Sequence, residues 1–146
     1  MSARTRGAVF LIEDTPTDRR LLREAFDETK GEVTVQAVSD GREAVEALRK
    51  LKAAPRSLPD LVIADLHLPR TSGRDVLTAV RDDPDLEWLP VIMLSRTENR
   101  ADVNECYAAG ANAFLQKPSQ FEDWVSLANM IQQFWLETVT QPRPLP

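Results

Sequence analysis

Apolar and polar positions along this chain follow two alternating rhythms. Val9-Phe10-Leu11-Ile12, Leu61-Val62-Ile63-Ala64 and Val91-Ile92-Met93-Leu94 are short unbroken apolar runs. Between them, apolar residues return every three or four positions. Unbroken runs are the mark of parallel strands covered by helices on both faces, and the longer spacing is that of a helix with one buried stripe. A weaker run, Ala113-Phe114-Leu115-Gln116, predicts a further strand. The stretch from Val33 to Val38 is β-rich and alternating, which predicts a strand at a sheet edge.

The helical stretches fill the gaps. The first opens at Pro16, turns Leu21, Leu22, Ala25 and Phe26 inward, and stops near Lys30-Gly31. Ser39 or Asp40 caps a second, with Ala44, Val45, Leu48 and Leu51 on one face. Ser72-Gly73 starts a third, which carries Val76, Leu77 and Val80 and ends before Asp83-Pro84. A fourth spans about Glu98 to Ala109 and stops at Gly110, and a last one runs from about Phe121 to Val139. Five repeats of strand then helix predict an α/β fold: a doubly wound, five-stranded parallel sheet with five helices and right-handed crossovers.

With 146 residues the chain is read as one domain, 1–146, with a core over about 8–139 and a Pro-rich tail over 140–146. The formal net charge of -5 has no basic face to offer a phosphate backbone, which argues against nucleic acid. A single cysteine, Cys106, excludes an internal disulfide and points to a reducing cytoplasm, where a packed thiol is expected. No apolar run has membrane-spanning length, and Met1 to Gly7 lacks the apolar stretch of a signal peptide. Trp88 is expected to anchor a loop, half exposed.

The chemistry sits where the runs end. The first delivers Glu13-Asp14, the central one Asp65, the next Ser95, and the weak one Lys117 followed by Pro118. Ligands of parallel sheets bind beyond the carboxyl ends of the strands, so these groups are expected to converge. An acid pair at a helix start is commonly just solvated and favoured by the helix dipole. A third carboxylate across from it changes that, because the mutual repulsion is relieved by a divalent cation. Mg²⁺ suits Glu13, Asp14 and Asp65, since it takes few carboxylates, keeps waters and accepts phosphate oxygens. Asp65 can then act as a nucleophile forming an aspartyl phosphate, with the Ser95 hydroxyl and the Lys117 ammonium holding the transferred oxygens. The chain has no G-x-G-x-x-G and no G-x-x-x-x-G-K-[ST], so a glycine-cradled nucleotide is not expected.

The set Glu13-Asp14, Asp65, Ser95 and Lys117-Pro118, carried on this alternation, resembles the receiver domain of two-component response regulators over about residues 8–139. The resemblance implies strand order 2-1-3-4-5 and Asp65 as phosphoacceptor for a sensor histidine kinase. It also implies Mg²⁺ held by Glu13 or Asp14, Asp65 and the backbone carbonyl of His67, with Lys117 paired to the phosphoryl group and a cis Lys117-Pro118 bond. Ser95 and Phe114 become the switch pair, the hydroxyl moving onto the phosphate and the ring turning inward. Asp65-Leu66-His67-Leu68-Pro69-Arg70 and Phe134-Trp135-Leu136-Glu137-Thr138-Val139 resemble the small single-domain regulators paired with phytochrome kinases, so a phytochrome-type kinase is the partner implied.

Two departures and one surplus stand out. Thr71-Ser72 precedes Gly73 where Met-Asp is frequent, which changes only the loop. Arg96 follows Ser95 where a small residue is common; its bulk is expected to hinder access to Asp65, or its guanidinium to attract phosphate. The last helix carries Phe121, Trp124, Val125, Leu127, Ala128, Ile131, Phe134, Trp135 and Leu136, more apolar surface than one sheet face needs. A homodimer through that helix and the adjacent surface is expected, with back-folding of the tail as the competing outcome. Two other functions remain open: a phosphate-independent scaffold, and a haloacid-dehalogenase-type phosphatase. The second would need D-x-D where Glu13-Asp14-Thr15 stands.

Overall fold

The computed structural model describes residues 6–142, so Pro144 and Pro146 of the expected tail lie outside them. Strands β1 (Arg6–Ile12), β2 (Glu32–Val38), β3 (Leu61–Asp65), β4 (Val91–Ser95) and β5 (Ala113–Gln116) form one parallel sheet in the order β2-β1-β3-β4-β5. Between and after them run α1 (Pro16–Asp27), α2 (Gly41–Leu51), α3 (Gly73–Asp82), α4 (Arg100–Ala108) and α5 (Phe121–Ile131). The order is the one that the resemblance implied, and the central strands β3 and β4 are buried at every position. The edge strand β2 alternates between exposed and half-buried residues along most of its length.

The central strands divide their side chains between two cores. Phe10, Ile12, Val62, Ala64, Val91 and Met93 face α2 and α3, where Ala44, Leu48, Val76, Leu77 and Val80 meet them. Val9, Leu11, Leu61, Ile63, Ile92 and Leu94 face α1 and α5, meeting Leu22, Phe26, Trp124, Ala128 and Ile131. This is why an unbroken apolar run was needed: each neighbouring position serves a different layer. Cys106 is fully buried and its thiol is pushed up by that burial. Trp88 is half-buried, with its indole N–H donating to the Asp85 carbonyl at 2.9 Å.

Caps fix the helix starts. Asp40 Oδ1 accepts from the amides of Arg42 (2.7 Å) and Glu43 (3.2 Å) at the start of α2. Ser72 and Asp75 exchange reciprocal bonds at the start of α3. Asn99 accepts from the Asp102 amide, so α4 begins at Arg100 rather than at Glu98.

The last helix differs from its expected single span to Val139. Regular α geometry ends at Ile131, and Gln132–Thr138 continues as a π-helical stretch. The Val139 amide there bonds the carbonyl five residues back, on Phe134. The wider turn lets the adjacent residues Trp135 and Leu136 both pack against the α1/α5-side core. The Leu136 side chain reaches β1 so closely that a Cβ on Gly7 would lie 2.8 Å from it. Part of the apolar surplus thus folds back onto its own domain. Phe121, Met130 and Phe134 stay exposed, Phe134 by half. No peptide bond among the described residues is cis, so Lys117-Pro118 is trans, contrary to what the resemblance implied. Before proline the two isomers differ by only about 1 kcal/mol, and the trans form prevails here.

Candidate functional site

The ends of four strands, β1, β3, β4 and β5, meet at the carboxyl edge of the sheet. Asp65 is the last residue of β3, 5% exposed, and both its oxygens are engaged. Oδ1 accepts from the His67 amide at 3.0 Å and Oδ2 from Lys117 Nζ at 2.9 Å. Lys117 follows β5, and its backbone amide donates to the Ser95 carbonyl at 2.8 Å, which ties the β5 end to the β4 end. The amine is thereby aimed back across the sheet at β3 and β1.

Lys117 is clasped by three carboxylates, not one. Its Nζ lies 2.7 Å from Glu13 Oε2, 2.9 Å from Asp65 Oδ2 and 3.0 Å from Asp18 Oδ2, with all four side chains nearly buried. Burial pulls the ammonium's pKa down, but hydrogen bonds to Glu13, Asp65 and Asp18 outweigh that and hold it above the ordinary lysine value. For Glu13, burial dominates and raises the carboxyl to about 7, with the charge of Asp65 adding to the rise and Lys117 and the Thr15 amide opposing it. Glu13 Oε1 accepts from the Thr15 amide at 3.1 Å, and the Glu13 carbonyl accepts from Arg19 at 2.7 Å. Asp14 is half-buried and lines the cavity beside Asp65.

One oxygen from each of Glu13, Asp14 and Asp65 lies within 4.8 Å of the others. Carboxylate oxygens at that spacing fit a hard divalent cation, which would complete its shell with waters. The cavity in front of them, about 270 Å³, also takes in Asp18, Arg96 and Lys117. His67 contributes its amide to Asp65, and its own side chain is exposed. Ser95 is fully buried at the end of β4, with its hydroxyl accepting from the Thr97 amide at 3.2 Å. Phe114 is half-buried on β5, opposite Met93 in register.

Asp18 is the residue that sequence reasoning passed over. It occupies the third position of α1, where an acid usually reaches back to bond the cap residue's amide. Here Glu13 already holds the Thr15 amide, so the Asp18 side chain turns into the site instead. The available signal was positional: four residues beyond Asp14 on a helix start, two residues after Pro16. Arg96, expected to crowd or attract the phosphate, is bonded to Asp18, donating from Nη2 to Oδ1 at 3.0 Å and to Oδ2 at 3.2 Å.

A parallel α/β sheet with carboxylates, a hydroxyl and an ammonium at its strand ends defines a receiver. The chain matches the response regulator receiver domain over residues 9–129 and belongs to that family. It is the receiver of a response regulator, a signalling protein. Response regulator Rcp1 of Synechocystis sp. is 34% identical over 137 residues, covering 92% of each chain. Among solved structures, the phosphorylated cyanobacterial phytochrome response regulator RcpA is 35% identical, covers 96% of this chain and 99% of its own, and superposes with a TM-score of 0.85. The Mn²⁺-bound form of response regulator Rcp1 is 32% identical over 93% and 99% of the two chains, with a TM-score of 0.80. No helix among the described residues is long and apolar enough to cross a membrane.

Proposed function

We propose that the whole chain, 1–146, is one receiver unit that takes a phosphoryl group from a sensor histidine kinase of the phytochrome type onto Asp65, in the cytoplasm. The observation that carries this is the seat of Asp65: a nearly buried strand-end carboxylate held by Lys117 at 2.9 Å, with Glu13 and Asp14 alongside. The likeness to Rcp1 and RcpA supports the kinase class.

Each residue has a task in the transfer. Asp65 Oδ attacks phosphorus as the P–N bond to the kinase imidazole breaks, so the carboxylate becomes an acyl phosphate. Glu13, Asp14, Asp65 and the His67 carbonyl would hold Mg²⁺, which when bound screens the carboxylate charge from the incoming phosphoryl oxygens; the Mn²⁺-bound relative supports a divalent ion there. Lys117 stays on the Asp65 side of the cavity and pairs with a phosphoryl oxygen. Ser95 offers its hydroxyl once it exchanges the Thr97 amide for the phosphate, and Phe114 follows as the second half of the switch. Hydrolysis reverses the state, so the protein catalyses only its own phosphorylation and its loss. The half-exposed Phe134, with Met130 and Phe121 on the same terminal segment, supports a homodimer through the last helix.

Incubation with Mg²⁺ and acetyl phosphate, followed by peptide mass spectrometry, tests the reading. A phosphoryl mass on Asp65, lost in Asp65→Asn, is expected. A wild-type protein that stays unlabelled where an ordinary receiver labels would instead be a phosphate-independent scaffold.

A further inference from the structure

Within this reading of Asp65 as acceptor, we propose that Asp18 is a placeholder anion. Its carboxylate holds, before phosphorylation, the two cations that the phosphoryl group will take, and Arg96 then closes over the acyl phosphate and shields it from water.

The geometry is that of a shared partner. Asp18 Oδ2 accepts from both Lys117 Nζ at 3.0 Å and Arg96 Nη2 at 3.2 Å, while Oδ1 accepts from Arg96 Nη2 at 3.0 Å. Lys117 in turn bridges Asp18 to Asp65. Asp18, Asp65, Arg96 and Lys117 line the same cavity, so a phosphoryl group on Asp65 arrives among the groups already gathered around Asp18. Phosphoryl oxygens and carboxylate oxygens compete for the same donors, and the phosphoryl group carries the larger charge.

The two cations are not equally free to move. The Lys117 side chain is 5% exposed and fixed by three acids, whereas the Arg96 side chain is 59% exposed and pairs with Asp18. Its long stem can swing without opening the core. With Glu13 deprotonated, four carboxylates at the site face two cations, so two negative charges remain for a divalent ion to balance; holding Arg96 on Asp18 keeps the cavity from being more acidic still. Once on the phosphate, a guanidinium has no lone pair with which to activate water. Its bulk at the open side of the cavity hinders a water from reaching phosphorus, so the P–O bond to Asp65 breaks more slowly. Asp18 and Arg96 are positioning residues for the phosphoryl state.

The test measures lifetime and affinity in the intact protein. After labelling with Mg²⁺ and acetyl phosphate and removal of the donor, Arg96→Ala is expected to lose its phosphoryl mass about tenfold faster than wild type, with Arg96→Lys between them. Beryllofluoride with Mg²⁺, titrated by calorimetry as a phosphoryl mimic, is expected to bind Asp18→Asn severalfold more tightly than wild type. That gain should shrink when Arg96→Ala is added. Labelled Arg96→Ala that loses phosphate at the wild-type rate or more slowly overturns the shield, and unchanged mimic affinity in Asp18→Asn overturns the placeholder. Absence of any label on wild-type Asp65 overturns the acceptor reading as well, which keeps the two failures distinct.

Discussion

Gly73 faces the backbone of Asp65 so closely that a Cβ at position 73 would overlap the Asp65 carbonyl oxygen and lie 2.9 Å from both its carbonyl carbon and Met93 Cε. The Gly73 amide meanwhile donates to the Leu66 carbonyl at 3.0 Å. The start of α3 is therefore seated directly on the end of β3, where the proposed acceptor stands. The Asp65 backbone cannot yield cheaply, so Gly73→Ala should cost about 2–3 kcal/mol in urea unfolding. It should also slow labelling of Asp65 by acetyl phosphate. A wild-type unfolding midpoint in Gly73→Ala would show that the seat is looser than the contact requires.

Glu13 should give the candidate metal site a pH dependence. Its carboxyl is raised from 4.5 to about 7 in the folded protein, chiefly by burial. The folded chain thus holds a proton that the unfolded chain has released, and the stability from that proton is full below 4.5 and lost as pH rises through about 7. A cation needs the deprotonated form. Mg²⁺ affinity should therefore climb as pH approaches about 7 and level off above it, with proton release measurable by calorimetry in buffers of different ionisation heat. Glu13→Gln should flatten the curve. An equally steep curve in that variant would assign the proton elsewhere.

Lys117 holds Glu13, Asp18 and Asp65 together, so its removal should be felt most without metal. Lys117→Met leaves three nearly buried carboxylates with no ammonium between them, at a cost of about 3 kcal/mol. Added Mg²⁺ should recover part of that, giving a larger rise in melting temperature than in wild type. Equal Mg²⁺ shifts in the two proteins would contradict this.

The fold and much of the site were legible because their causes are local. β3 and β4 read as unbroken apolar runs since both faces of each are buried, and the residue that ends each run is delivered to the sheet edge by strand geometry alone. The strand order came from the family pattern, not from the runs. Asp18 was not legible, since its inward turn depends on Glu13 having taken the Thr15 amide, a contact that spacing does not reveal. The π-helical stretch was equally hidden: the repeat of apolar residues through Trp135 and Leu136 is compatible with an α-helix, and only packing on Gly7 of β1 decides against it.

Arg81 was hidden for a similar reason, reading in the sequence as a cation in the last turn of a helix. In the fold it donates to the carbonyls of Gly110 (3.0 Å), Glu87 (2.8 Å) and Leu89 (2.7 Å) and to Asn112 Oδ1 (2.9 Å). It thus joins the loops that lead into β4 and β5. Asn112 Oδ1 also takes the Val91 amide at 2.8 Å, so the network reaches the first residue of β4. Arg81→Ala should cost about 3 kcal/mol, because several acceptors are orphaned together. Arg81→Lys should restore little, as one ammonium cannot span the fork. Full recovery by lysine would reduce the role to charge alone.

Phe134 tests the proposed dimer. Its ring is half exposed and packs edge-to-face on Trp135 at a centroid distance of 5.3 Å, so it is held in place rather than free to collapse inward. With Met130 it flanks a groove on the outer side of the last helix. A charge there cannot be buried without a partner, whereas the fold itself loses little because the position already faces solvent. Phe134→Asp should therefore sediment as a monomer at concentrations where wild type is a dimer, while the melting temperature changes by only a few degrees. A wild-type protein that is monomeric both with and without beryllofluoride would rule the dimer out. A Phe134→Asp protein that remains dimeric would move the interface to another face of the domain.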